Sequence, residues 1–349
     1  MAPYFWLFAA PAVLCLANPQ TMRALPTVAL FLFLVVFIGL RQDDIGPDGW
    51  GYSEILHNHL PFETYFSYLL KPSGEPLFFM MFKLTSELNW GLYGVNIIST
   101  IVFCVGIFMF CSHLREPWLG ILTFCSFPVL FVGMSAIRQA ISMGLILILL
   151  SVWRNTRFLS KVITILFSAM FHFSAVLTLA FAFFGARMSN LQKLLAGASA
   201  LGLIYVLYNS AQATVLQQRY IGSNSEASGA YFHVSIVLIP AVIYFVFRKR
   251  WTKTYGNDTF MFYMSASTFV LLPLLYLSTI VASRTSFYFS IVPAYVWSGL
   301  PSILGANKRN QIFVRLGIVV AMASIFFGWL SLANVASAYV PYKSILFED

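Results

Sequence analysis

Apolar runs of membrane-spanning length recur along the whole chain, separated by short polar breaks. They fall at 3–17, 25–40, 92–111, 118–134, 137–153, 194–210, 231–247, 259–281, 286–303 and 311–333. This pattern predicts an all-α polytopic membrane protein with about ten transmembrane helices, forming one integral membrane domain over residues 1–349. The first run has no basic segment ahead of it and is expected to be a retained span, not a cleaved signal.

Two segments depart from the pattern. "VITILFSAMFHFSAVLTLAFAFF" (162–184) is long enough to cross once, yet basic residues flank both ends and a crossing would upset the alternation downstream. The expectation is a re-entrant hairpin of two half-length helices meeting near His172, a form tolerated where protein or a water-filled cavity surrounds it. The loop 41–91 is the longest polar stretch. It carries turn formers ("IGPDGWG", "KPSGEP") and one amphipathic helix, "PLFFMMFKLTSEL" (76–88), expected to lie along the outer interface. Glu75 and Pro76 make a suitable start for it, proline in the first turn and an acid at the positive end of the dipole.

Composition agrees: 59% of the 349 residues are hydrophobic and 9% charged, where a soluble domain carries about 25% charged residues. The net charge of +9 is unevenly distributed. With the side of Arg23 taken as inside, the inside loops collect Arg115, Arg154, Arg157, Lys161, Arg187, Lys193, Arg248, Lys249, Arg250, Lys253, Lys308 and Arg309. The acids Asp43, Asp44, Asp48, Glu54, Glu63, Glu75 and Glu87 gather in the single outside loop 41–91. The basic excess is therefore a topology signal, and nucleic acid is not needed to explain it. The four cysteines sit inside apolar runs without metal-ligand spacing and read as packing residues.

Four arginines then remain at outer ends of spans: Arg41, Arg138, Arg219 and Arg284. Arg138 is expected in a tight outer turn, with Arg284 in the equivalent position of "TIVASRTSFYF". A guanidinium is a fixed cation with a planar fork of donors, which suits phosphate or carboxylate. The arginines either meet an anionic ligand at the outer leaflet, pair with acids of loop 41–91, or reach the headgroups. His172, at the expected hairpin tip, is a candidate base or phosphate ligand, or else a core donor. His57 and His59 lack a third ligand, so no metal site is expected. There is no nucleotide-phosphate loop and no nucleophile elbow, and no cofactor is expected.

Several short motifs occur in a telling order: "GLR" (39–41), Gly46, Asp48 and Tyr52 in "GPDGWGY", "EPLF" (75–78), "IRQAIS" (137–142), "FHFSAV" (171–176), "RY" (219–220), "SRTSFYF" (283–289) and "VPYKSI" (340–345). In this order the chain resembles the EpsG-like branch of the Wzy-type bacterial polysaccharide (O-antigen and exopolysaccharide) polymerases. It departs from that pattern at Gly49, where the family often has an aromatic, and in the acids "QDD" beside Arg41.

The resemblance implies a GT-C-like glycosyltransferase of the bacterial inner membrane, acting on its periplasmic face. The donor would be a glycan on undecaprenyl diphosphate and the acceptor a lipid-linked repeat unit; a flippase and a chain-length regulator are the expected partners. Arg138 and Arg284, with Arg41 and Arg219, would bind the diphosphate, supplying the charge compensation that a metal supplies in many soluble transferases. The base would be His172, Asp48 or Glu75, and Trp50, Tyr52 and Tyr65 would be sugar platforms. Other readings are a flippase or transporter of the same lipid-linked sugars, a glycan-decorating acyltransferase, or a structural subunit. Transport would require ionisable residues on both sides of the midplane, and an acyltransferase a matching inside histidine, whereas His113 stands alone.

Overall fold

The computed structural model describes residues 1–17, 19–49, 51–52, 75–182 and 229–347. Within them the chain is helical, with no strand and one isolated antiparallel bridge between Arg41 and Ser344. The helices are α1 (Ala2–Ala17), α2 (Ala24–Gly39), α3 (Pro76–Glu87), α4 (Gly91–Cys111), α5 (Pro117–Ser126), α6 (Ile137–Ser151), α7 (Phe158–Ala169), α8 (Leu179–Ala182), α9 (Ala230–Val246), α10 (Arg248–Tyr255), α11 (Thr259–Ser267), α12 (Leu271–Leu277), α13 (Thr279–Ser286), α14 (Ile291–Leu304) and α15 (Lys308–Leu332). The expected span 194–210 lies outside the described residues.

Among the described residues, four helical stretches are long and apolar enough to cross a bilayer: Gly91–Cys111, Thr259–Leu277, Thr279–Leu304 and Lys308–Leu332. Helices α9 and α10 pass the same test jointly but are bent by 76° where they meet. The other apolar helices, α1 and α2 among them, are shorter. The all-α polytopic architecture is as the hydropathy pattern predicts.

Helix α4 packs against α2, α3 and above all α6. The α4–α6 contact is close because glycines face each other. A Cβ on Gly106 would lie 2.4 Å from the Gly144 carbonyl, and one on Gly144 would lie 2.6 Å from the Val102 carbonyl. Small residues are what let membrane helices approach at backbone distance. This seam fixes the depth of α6 and so of Arg138, in its first turn.

Two spans are interrupted where hydropathy alone runs on. In the expected span 118–134, α5 ends at Ser126, and the chain continues through Pro128 into a π-helical turn, Val129–Gly133. Proline supplies no N–H to an α-helical ladder, and π-turns appear where that ladder is interrupted. The second interruption corrects an expectation. The boundary between the spans 259–281 and 286–303 falls at Ser278, whose hydroxyl accepts from the Val281 N–H and starts α13. Arg284 therefore lies in the last turn of a helix and not in an outer loop. The hydropathy dip that mimics a loop comes from Ser283, Thr285 and Ser286, which are buried inside the bundle.

Around His172 the helix also breaks. Helix α7 stops at Ala169, His172 is extended (φ −153°, ψ 115°), and a 3-10 segment, Phe173–Thr178, follows. The break lies where the sequence places the meeting of two half-length pieces; residues 183 and 184 are outside the described set. Helix α3 forms over nearly the expected residues. Phe78, Met81, Phe82 and Thr85 form its buried face, at helical spacing. That face packs with Tyr52, Leu92, Val95, Ile137 and Ile141. Met80, Leu84 and Leu88 point outward, which leaves an apolar stripe for the interface.

At the opposite end of these helices, Glu116 and Arg315 form a bidentate ion pair (2.7 and 2.8 Å), with side chains 0% and 6% exposed. It joins the start of α5 to α15.

Candidate functional site

The site begins with one carboxylate. Glu75 stands at the N-cap of α3 with Pro76 after it, but its side chain makes no capping bond. This differs from the expectation of a dipole-capping acid, since the carboxylate instead has three donors. Arg138 Nη1 donates to Oε2 at 2.7 Å; His172 Nδ1 and the Phe173 N–H donate to Oε1 at 2.5 and 3.2 Å. Burial pushes the Glu75 carboxyl up, but the hydrogen bond and charge of His172, then Arg138 and the Phe173 N–H, outweigh it and hold it at about 2. At neutral pH Glu75 is thus an anion that fixes one guanidinium and one imidazole. By accepting from the Nδ1–H, it directs the Nε2 edge of His172 away from itself.

Arg138 is held on its other side by Tyr52. Its Nε lies 3.4 Å from the Tyr52 hydroxyl and its guanidinium 5.7 Å from the ring centroid. Tyr52 is itself buried against Phe78 and Phe82. The Arg138 side chain remains 37% exposed.

The second cluster is built by a turn. Gly46 adopts φ +93°, and a Cβ there would meet the Met134 carbonyl at 2.6 Å, so only glycine fits this position. The Gly46 N–H donates to the Ala338 carbonyl (2.8 Å), which docks the turn on the C-terminal segment. Thus placed, Asp48 accepts from Arg284 Nη2 at 3.4 Å, with both side chains 34% exposed.

Gln139 joins the two clusters. It follows Arg138 in sequence, is fully buried, and donates from Nε2 to the Arg284 carbonyl at 2.8 Å. Tyr288 adds a second tie, its hydroxyl 3.1 Å from Ser174 Oγ and 3.5 Å from Ser142 Oγ. Behind Arg284, His233 Nδ1 lies 2.7 Å from Ser283 Oγ, its ring 4.3 Å from that of Phe131 in the π-turn. Gln139 and Tyr288 lie within motifs already noted, but nothing in their spacing reveals these contacts. His233, one histidine in an apolar run, carries no sequence signal.

The structure thus brings Arg138, His172, Glu75 and Tyr52 together, with Arg284 and Asp48 tied to them through Gln139. Both arginines are paired with acids of loop 41–91, one of the alternatives the sequence leaves open. Arg41 is placed differently. It is buried, with Nε donating to the Met134 carbonyl (2.9 Å) and Nη1 to the Ile38 carbonyl (2.5 Å). Burial lowers its guanidinium to about 10. Arg41 is thereby a brace that fastens the end of α2 to the 134–135 turn. Arg219, Trp50 and Tyr65 lie outside the described residues. Among the described residues no group of three or more potential metal-ligating side chains comes together.

A model of the EpsG family matches residues 25–344, which takes in every site residue above and all the motifs up to Ser344. Neither a curated protein nor a solved structure matches the chain. With that match over nearly its whole length, and with its all-α multi-pass architecture, the chain belongs to the EpsG family, a group of Wzy-type polymerase-like membrane proteins of polysaccharide synthesis.

Proposed function

We propose that the chain polymerises lipid-linked oligosaccharide repeat units on the periplasmic face of a bacterial inner membrane, using undecaprenyl-diphosphate-linked glycans as donor and acceptor. The observation that carries this reading is the convergence of Arg138 and His172 on Glu75, with Arg284 tied to the same site through Gln139. In the proposed reaction an acceptor hydroxyl attacks the donor's anomeric carbon. The bond from that carbon to the bridging phosphate oxygen breaks, and the lipid diphosphate leaves with the electron pair. Arg138 and Arg284 stabilise the charge that develops on it, and a fixed guanidinium near that oxygen is worth far more than in water. With the His172 ring neutral and its Nδ1–H on Glu75, the hydroxyl proton passes to Nε2, and Glu75 stabilises the imidazolium that results.

Of the three carboxylate and imidazole candidates, Glu75 suits the base role least, because its carboxyl is held at about 2 and both oxygens already accept. Asp48 has the looser partner and serves as a gate for Arg284, released when phosphate takes its place. Tyr52 orients Arg138 and is buried too deeply to act as a sugar platform. Arg41 shapes the site from behind.

The test is the surface-glycan ladder in cells expressing Arg138→Ala, Arg284→Ala or His172→Ala at normal protein levels. Each should display single repeat units in place of long chains, and lysine at position 138 or 284 should restore only part of the length. Full ladders from all three variants would overturn the proposal.

A further inference from the structure

The end of the bundle opposite Arg138 carries a second charged feature, unrelated to the reaction. Helix α9 begins beside Ser283 and runs 17 residues, about 25 Å at the α-helical rise. There the chain turns by 76° into α10, "RKRWTKTY". One face of α10 is anchored. Trp251 is buried, its Nε1 donating to the Tyr295 hydroxyl (3.1 Å), and Tyr255 donates to the Gly299 carbonyl (3.0 Å). With Trp251 and Tyr255 one turn apart on the inner face, Lys249, Arg250 and Lys253 fall together on the outer one. All three are exposed.

These cations line an open groove whose other wall is the last turn of α9, including Val246, which is 68% exposed. Arg248, its guanidinium 4.1 Å from the Phe262 ring centroid, and Asn257 also line it. Asp258, the next acid along the chain after Lys253, already accepts from Arg154 at 3.5 Å. A fixed cationic wall beside an exposed apolar wall, on a helix turned sharply away from the span before it, matches the two-part chemistry of a phospholipid: a phosphate and an acyl chain.

We infer that the α9–α10 bend is a binding site for an anionic glycerophospholipid of the leaflet opposite the catalytic cluster. Lys249, Arg250 and Lys253 hold the headgroup phosphate, and Val246 with its neighbours receives the top of an acyl chain. The site pins the bend and with it α14, through Trp251 and Tyr255. Each lysine or arginine contributes about fivefold in affinity for an anionic surface, so removing three should abolish retention.

The experiment compares the full chain with Lys249→Gln/Arg250→Gln/Lys253→Gln in nanodiscs of phosphatidylcholine alone and of phosphatidylcholine mixed with phosphatidylglycerol. Thermal unfolding is followed in both, and native mass spectrometry reads the lipids retained after extraction. The wild type should gain several degrees from phosphatidylglycerol and retain it. The triple variant should match the wild type in phosphatidylcholine, which shows that it folds, and should lose both the gain and the retained lipid. A control variant, Lys308→Gln/Arg309→Gln, should keep both. Equal gains in the wild type and the triple variant, or equal losses in the triple and control variants, would reduce the site to diffuse surface charge and overturn the inference. So would the same gain from inorganic phosphate added to phosphatidylcholine discs, which would make the ligand a free anion.

Discussion

Replacing Glu75 with glutamine removes one charge and leaves the shape almost unchanged, so its effect isolates the electrostatic centre of the site. The carboxyl is held at about 2 against an ordinary value of 4.5. Each factor of ten in proton affinity is ~1.4 kcal/mol, so the environment of the carboxylate favours its charged form by roughly 3 kcal/mol. The Arg138 side chain is 37% exposed, so water compensates part of this, and about 2 kcal/mol is the expected loss for Glu75→Gln at neutral pH. The sign follows from the lowered value. The stabilisation is complete above the unfolded-state value near 4.5 and disappears as pH falls through about 2. Thermal unfolding of the purified protein in detergent, measured from neutral pH downward, should show wild type above Glu75→Gln by several degrees at neutrality. The two curves should converge below the ordinary carboxylate range. Superimposed curves at neutral pH, or a gap that widens on acidification, would refute the reasoning that Glu75 is an ionised anchor.

Two further effects follow from the contacts. Gln139→Ala leaves the Arg284 carbonyl without its donor at a fully buried position, a loss of about 1–2 kcal/mol. Gln139→Glu keeps the volume but also removes the donor, so both should shorten the glycan ladder at normal protein levels, as read on a gel. Arg315→Met strands the Glu116 carboxylate where it is 0% exposed, at a cost of roughly 3–5 kcal/mol. Thermal unfolding should drop accordingly, and the double variant Glu116→Leu/Arg315→Met should recover most of the loss.

The sequence was most informative where a single residue type determines the outcome. Long apolar runs mark helices because the bilayer leaves the backbone no other way to satisfy itself, and Pro76 marks the start of α3 for the reason proline fits a first turn. Hydropathy fails inside the bundle, where it cannot tell a buried serine from a loop serine. Ser283 and Ser286 therefore masked the helical setting of Arg284, and the apolar residues around Pro128 hid the π-turn. The site itself lies beyond local pattern. Glu75 meets Arg138 and His172 across 63 and 97 positions, and Asp48 meets Arg284 across 236. Sequence order nominated these residues through resemblance, but only packing shows that Glu75 is an anchor and Arg41 a brace. Arg315, seven residues into the last helix, pairs with a glutamate 199 positions away, a contact no periodicity could reveal.

The central claim is that Arg138 and Arg284 receive the phosphates of a lipid carrier. It is tested most directly by titrating the purified protein with a polyprenyl diphosphate and, in parallel, with the matching uncharged polyprenol. The account predicts saturable binding of the diphosphate that weakens at least tenfold in Arg138→Ala and in Arg284→Ala, with the polyprenol affected by neither. Undiminished diphosphate binding in both variants, or equal binding of diphosphate and polyprenol by the wild type, would contradict it.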